Sequence, residues 1–198
     1  QSEQLWPICM PAVFQALGDK DPEMRIPACW AINLAAPLAR FAEAAPEAFQ
    51  KLAQLISAKA PKKRDDRSKV ALENAVAAML SLAKQKASLC PAAIEPWKLV
   101  VSKLPLSEDE DEARTVHKMV VELVIAQDPG LLGPDGAHLG KLLSVFAEIY
   151  RQESNSEKET DEMIKAIFKM VPQDKLRALA TNFTEKQMKK IERMLSAP

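Results

Sequence analysis

Glycine is scarce, with five in 198 residues. Tight hairpin turns draw heavily on glycine, whereas the abundant Ala, Leu, Lys and Glu favour helices, so the composition argues against a sheet-based fold. Net charge is missing as well. The 27 basic and 27 acidic side chains cancel, and no overall field steers the chain toward nucleic acid or anionic lipid. Cysteine is sparse. Cys9, Cys29 and Cys90 lie far apart, form no paired motif, and would leave one thiol over in an oxidising compartment, so reduced thiols in the cytosol or nucleus are expected. No apolar run approaches the roughly 20 residues that span a bilayer. The N-terminus lacks the charged, apolar and cleavage regions of a signal peptide. The expectation is a soluble intracellular chain without a membrane partner. Its opening, "QSEQLWPICM", has no initiating methionine and reads as the start of a piece of something longer.

What is present is helical periodicity. In "EDEDEARTVHKMVVELVIAQ" the apolar positions Ala113, Val116, Val120, Leu123 and Val124 recur at three- and four-residue steps, as one helix face requires. Ile94, Trp97, Val101 and Leu104 do the same upstream, and Pro105 closes that helix. Leu139, Leu142, Leu143, Phe146, Ile149 and Tyr150 form a further stripe, followed by Met163, Ile167 and Met170. No segment alternates with period two for long enough to propose a strand. With 47% apolar residues the chain can bury a core, and the expected class is all-α.

The helices come in pairs that repeat. Second helices are expected to start near Pro22, Asp65, Glu108 and Glu157, at intervals of roughly 43, 43 and 49 residues, close to the period of two-helix solenoid repeats. The divisions that follow are residues 1–43, 46–87, 91–127 and 136–171, with a capping pair at 172–198. The first pair carries the most specific pattern, "GDKDPEMRIPACWAI". Asp19 and Asp21 occupy the turn, Pro22 the first helical turn, and Met24 and Arg25 form a hydrophobe–arginine pair. Proline there forfeits only an N–H that has no partner, and the turn carboxylates can cap the helix or meet the arginine of a neighbouring repeat. This resembles a HEAT repeat. Pro27 and Pro37 depart from that pattern, and a bent or shortened second helix is expected there.

From residue 94 onward the runs "PWKLVVSKLPLSEDEDEARTVHKMVVELV" and "DPGLLGPDGAHLGKLLSVFAEI" and the ending "LRALATNFTEKQMKKIERMLSAP" resemble the last repeats of importin-beta nuclear transport receptors, and in particular the third importin-beta class, which carries ribosomal proteins. The segment "SKVALENAVAAMLSL" fits as a preceding second helix. The resemblance covers nearly the whole chain, is most specific between Trp97 and Leu143, and weakens before residue 60. It implies a right-handed superhelix of HEAT repeats that wraps cargo, is unloaded by the GTP-bound form of the small GTPase Ran, passes the pore by contacts with phenylalanine–glycine nucleoporins, and shuttles between cytoplasm and nucleus. The family's main Ran contacts lie in repeats outside this stretch. A HEAT scaffold subunit of a multiprotein complex is the alternative.

Catalytic constellations find little support. His117 and His138 sit in no metalloprotease motif and have no cysteine nearby, so zinc is not expected and the ordinary reading is a partly exposed surface histidine. "GPDGAHLGK" lacks the spacing of a phosphate-binding loop and follows no strand, and reads as a loop with a helix cap. Cys29 and Cys90 read as small packed hydrophobes. No enzyme activity and no cofactor are expected. The basic run at 59–69, "KAPKKRDDRSK", could be a localisation signal or a phosphate patch, and reads more simply as a solvated connection between two helices. Trp30 and Trp97 read as core. Under the receptor resemblance, a shallow groove near Leu52, Leu55, Trp97 and Val100 could accept a phenylalanine.

Three further expectations concern ends and charge. In "LPLSEDEDEARTV", Ser107 and Glu110 have capping-box spacing, and acids in a first turn meet unpaired N–H groups and the positive end of the helix dipole. That use accounts for two or three of five consecutive acids. A surplus of negative charge remains, and Glu108, Asp109, Asp111 and Glu112 contribute either an acidic rim that attracts basic cargo or only a solvated helix start. A calcium loop is disfavoured because consecutive helical residues point in different directions. A last helix is expected from Thr184, with Thr184 and Gln187 as its capping box and Met188, Ile191 and Leu195 covering the final repeat. At the other end Leu5, Ile8, Val13 and Phe14 are expected to form an exposed apolar patch that favours self-association.

Overall fold

An alanine-rich helix at Asp66–Lys86 sets the pattern of the N-terminal half. The computed structural model describes residues 2–196, and among them eleven α-helices and no strand occur. The chain divides into two units, 1–103 and 104–198.

In the first unit α1 (Ser2–Leu17), α2 (Pro22–Ala35), α3 (Ala45–Ser57), α4 (Asp66–Lys86) and α5 (Pro96–Lys103) follow in order. α4 packs against α2, α3 and α5. Its middle, Ala75 to Ala83, is buried all round, which a helix can be only when its neighbours approach on every side. Five alanines at positions 71, 75, 77, 78 and 83 leave room for that approach, and the adjoining α3 buries Phe49, Leu52 and Ile56. Pro27 lies inside α2 without ending it, and Pro37 falls one residue beyond the C-cap Ala36. The helix therefore stops where a second proline would remove the next N–H.

In the second unit come α6 (Glu110–Ile125), a short α7 (Pro129–Leu132), α8 (Leu139–Ile149), α9 (Lys158–Met170), α10 (Gln173–Ala178) and α11 (Glu185–Ser196). α6 packs on α9, and α11 lies across both α8 and α9. Leu142, Leu143, Phe146, Ile164 and Phe168 form the core between them. "GPDGAHLGK" is a loop: Gly133 ends α7 with a φ of 72°, where a side chain would be strained. The N-cap of α8, His138, makes no side-chain capping bond, so the expected cap is absent.

The last helix begins as expected. Thr184 N–H donates to Gln187 Oε1 at 2.8 Å, and Gln187 N–H donates to Thr184 Oγ1 at 3.3 Å, a reciprocal capping box. Its covering face is shifted: Ile191 and Met194 are buried, whereas Leu195 is exposed. Gln187, Ile191 and Met194 step by four and three residues along one stripe, and Leu195 lies off it.

Candidate functional site

The acidic stretch is capped two residues later than the Ser107–Glu110 spacing suggested. Asp109 is the N-cap of α6, and its Oδ1 accepts from Glu112 N–H at 3.2 Å. Asp109 and Glu112 thus take the two capping-box positions, and Asp109 has the extended backbone of an N-cap. Glu112 is half-buried. Burial, and then the charge of Asp109, push its carboxyl above the usual range. Asp111 accepts from Arg114 Nη2 at 2.8 Å, with Glu110 at 3.9 Å from the same guanidinium. Of the four residues expected to form a rim, only Glu108 and Asp111 are exposed, and Asp111 has a cationic partner. The run is used largely within its own helix start.

Of Leu52, Leu55, Trp97 and Val100, expected to line a groove, two are closed to solvent. Leu52 on α3 and Val100 on the short α5 are fully buried, where α3 and α5 pack against each other and against α4. Leu55 and Trp97 are half-buried. The exposed apolar surface lies elsewhere. Trp30, expected in the core, is 58% exposed, with Met24, Leu34 and Leu38 similarly open. On α2, Ala28, Cys29, Ile32 and Ala35 face inward, and Pro27, Trp30 and Leu34, three and four residues apart, occupy the opposite side. α2 carries apolar residues on every side, interrupted only by Glu23, Arg25 and Asn33, so periodicity does not say which face is buried, and Trp30 lies on the outer one. The signal available was that its small residues, Ala28, Cys29 and Ala35, suit close helix packing better than Trp30 does.

The patch expected on α1 is smaller than the sequence suggested. Ile8 is 69% exposed, Val13 is half-buried and Phe14 is buried. Leu5 lies outside the residues whose side chains are described. Trp6 meets the edge of Phe41, ring centroids 6.1 Å apart at 88°, with the Arg40 guanidinium 5.9 Å from the Trp6 ring.

The HEAT-like signature residues build the turn before α2. Asp19 Oδ1 accepts from Asp21 N–H at 2.9 Å, and Asp21 Oδ1 accepts from Glu23 N–H at 3.0 Å. Pro22 takes the first helical position. The inter-helix ion pair is made by Glu23 rather than by a turn aspartate, with Arg67 at the start of α4. Arg25 lines a cavity of about 350 Å³ between α2, the 58–65 loop and α4. Its Nε is shut off from water without a hydrogen-bond partner among the described residues. The basic run around it is an exposed connection from Ser57 to Asp66. Asp65 caps α4 by accepting from Ser68 N–H at 3.1 Å, and hydrogen bonds from Ser68 hold its carboxyl below the usual range.

His117 is the largest departure among the polar residues. Expected on the surface, it is 1% exposed. Leu106 N–H donates to its Nε2 at 3.1 Å, so Nε2 is the bare nitrogen, and Nδ1 donates to Asn155 C=O at 2.9 Å. Asn155 Nδ2 returns a bond to Leu106 C=O. Burial lowers the His117 pKa and keeps the ring neutral. His138 is partly exposed, as expected, with Nδ1 on Leu131 C=O at 2.8 Å. Both imidazoles are occupied in joining loops to helices. Cys29 is fully buried and Cys90 half-buried, while Cys9 is exposed.

Among the described residues no group of three or more His, Cys, Asp or Glu side chains is placed to hold a metal ion, and no helix is long and apolar enough to cross a membrane. No family model matches the chain and no solved structure matches it.

Proposed function

We propose that the chain is a non-enzymatic, protein-binding stretch of HEAT-like helix pairs that forms the C-terminal part of a nuclear import receptor of the importin-beta kind. The observation that carries this reading is the recurrence of the second helix: α2, α4, α6 and α9 start behind Asp21, Asp65, Asp109 and Glu157, at nearly constant spacing. Helix pairs repeated at that period bury their apolar faces by stacking on their neighbours, and the surfaces left over bind proteins. The importin-like runs between Trp97 and Leu143 support the transport assignment over a general scaffold.

In this reading cargo is recognised by shape and surface charge without a cofactor, and neither nucleic acid nor membrane is a direct partner. Basic cargo such as ribosomal proteins meets the outward acids Glu108 and Glu110, since Asp109 and Glu112 serve the cap. Phenylalanine–glycine nucleoporins meet the open row of Trp30, Leu34 and Leu38, an aromatic and aliphatic surface of the kind weak apolar contacts need. Ran acts on the whole receptor, which shuttles between cytoplasm and nucleus.

The test is a pull-down on the natural full-length protein with a basic ribosomal cargo, with and without GTP-loaded Ran. Cargo release on adding GTP-loaded Ran is expected. Retention of cargo, with no Ran on the beads, would assign the chain to a scaffold instead.

A further inference from the structure

Arginine removed from water keeps its charge and needs acceptors for its fork of donors. Arg25 Nε has none among the described residues. The cavity it lines is half open, and its rim carries Lys59 and Lys62. One carboxylate, Asp65, shares the lining; its hydrogen bonds go to Ser68 in capping α4, and it reaches Arg25 and Lys62 only as a nearby charge. Leu55 and Leu72 complete the walls. Beyond the rim the loop continues with exposed Lys63 and Arg64, and Lys59, Lys63 and Arg64 have no ion-pair partner among the described residues. The neighbouring charges are already paired: Asp66 with Lys69, and Arg67 with Glu23.

From this juxtaposition we infer that the cavity between α2, the 58–65 loop and α4 binds an acidic side chain of a peptide segment, its oxyanion on the Arg25 fork and its flanking residues along the basic loop. A planar guanidinium matches an oxyanion with two parallel hydrogen bonds. The volume, about 350 Å³, exceeds what a single inorganic ion fills, since a water takes about 30 Å³ in the liquid. The Leu55 and Leu72 walls suit the methylene stem of a glutamate and an apolar neighbour. Nucleic acid fits less well, because no aromatic ring lines the cavity to stack a base. The inference goes beyond the transport reading and does not depend on it, because the cavity lies wholly within the first unit.

The experiment is fluorescence anisotropy on the intact chain with a fluorescein-labelled peptide of glutamate, alanine and leucine. A phosphoserine version, a glutamine version and a labelled single-stranded DNA are run beside it. Binding of the glutamate or phosphoserine peptide is expected, with the stronger of the two identifying the anion, and the glutamine peptide should bind at least about tenfold more weakly. Arg25→Met should weaken the acidic peptide about tenfold, whereas Lys63→Gln, which removes the same charge from the same loop outside the cavity, should change it less than about threefold. Arg25→Met should leave the melting temperature unchanged or raise it, because a buried donor without an acceptor is removed. Equal losses from Arg25→Met and Lys63→Gln would mean diffuse charge attraction and would overturn the site. So would the absence of peptide binding up to about 1 mM, tighter binding of the DNA, or an Arg25→Met protein that melts earlier yet binds as wild type. If Arg25→Met does not fold, the exposed pair Lys59→Gln and Lys62→Gln carries the test: a loss of about fivefold supports the site and an unchanged affinity overturns it.

Discussion

The two units are held together differently. In the first, α4 packs against α2, α3 and α5 over a core that includes Phe41, Phe49, Leu52 and Ile56, and the helix starts are sealed by exposed aspartates, Asp21 and Asp65, within one turn. In the second, buried polar side chains tie distant loops to helices. His117 joins Leu106 to Asn155. Ser156 donates to Asp161 at 2.8 Å. Gln187 of the last cap reaches back to Ser144 C=O and Glu148 Oε2, both at 3.1 Å, and Lys190 Nζ donates to Glu148 C=O at 2.7 Å. The first arrangement is mainly apolar, with one polar tie from Ser81 on α4 to Asn33 on α2, and its apolar part is non-directional and tolerates changes that keep volume. The second is directional, so losing one partner leaves another buried and unsatisfied.

The largest effect expected is in the apolar unit. Phe49→Ala should destabilise it by about 3–5 kcal/mol, the cost of lost burial plus a cavity. All three tryptophans, Trp6, Trp30 and Trp97, lie in that unit. The shift should therefore appear in the urea midpoint followed by tryptophan fluorescence. A tryptophan transition at the wild-type midpoint would show that α3 does not depend on that core.

His117→Ala should cost about 2–3 kcal/mol by stranding Leu106 N–H and Asn155 C=O, read as faster hydrogen exchange at the Leu106 amide. The same joint should make the second unit acid-sensitive. Because burial lowers the folded-state pKa of His117 from its ordinary value of 6.5, the neutral ring's contribution is complete above that value and is lost as pH falls below 6.5 toward the folded pKa. Leu106 exchange in the wild type should accelerate over this range while Trp fluorescence stays flat. Loss of that acceleration in His117→Gln would tie it to the imidazole, and acceleration unchanged by the substitution would remove His117 from the account.

Smaller effects separate the two registers of the α6 cap. Asp109→Ala should cost about 1 kcal/mol, as for other cap losses, and Ser107→Ala about half of that or less. Circular dichroism melts of the two variants compare them directly, and the reverse order would restore the Ser107 cap. Smallest of all, Trp30→Gln should change stability by no more than about 0.5 kcal/mol because the side chain is exposed. Light scattering at high protein concentration should nonetheless show less self-association. Destabilisation like that of Phe49→Ala would mean that Trp30 belongs to the core after all.

Helix class, helix starts and the last capping box were legible in the sequence because each rests on interactions within one or two turns. Proline at the first turn, aspartate before it and a three-residue Thr–Gln spacing act locally. The register of the acidic run was harder to read. With Ser107, Asp109 and several glutamates in succession, two frames satisfy the same spacing, and the frame is set by where the incoming chain from Leu106 is anchored on His117.

The amino-acid sequence by itself determined that this chain is helical and, to within two residues, where its second helices begin, since dihedral preference, capping and periodicity are properties of neighbouring residues. Tertiary structure decided which side of α2 meets solvent, that Leu52 and Val100 are core, that His117 is a buried joint, and that Arg25 faces a cavity. Those outcomes depend on which elements approach each other across long separations, and a helix with apolar residues on every side, or a histidine beside a loop from 38 residues away, carries no local mark of its partner.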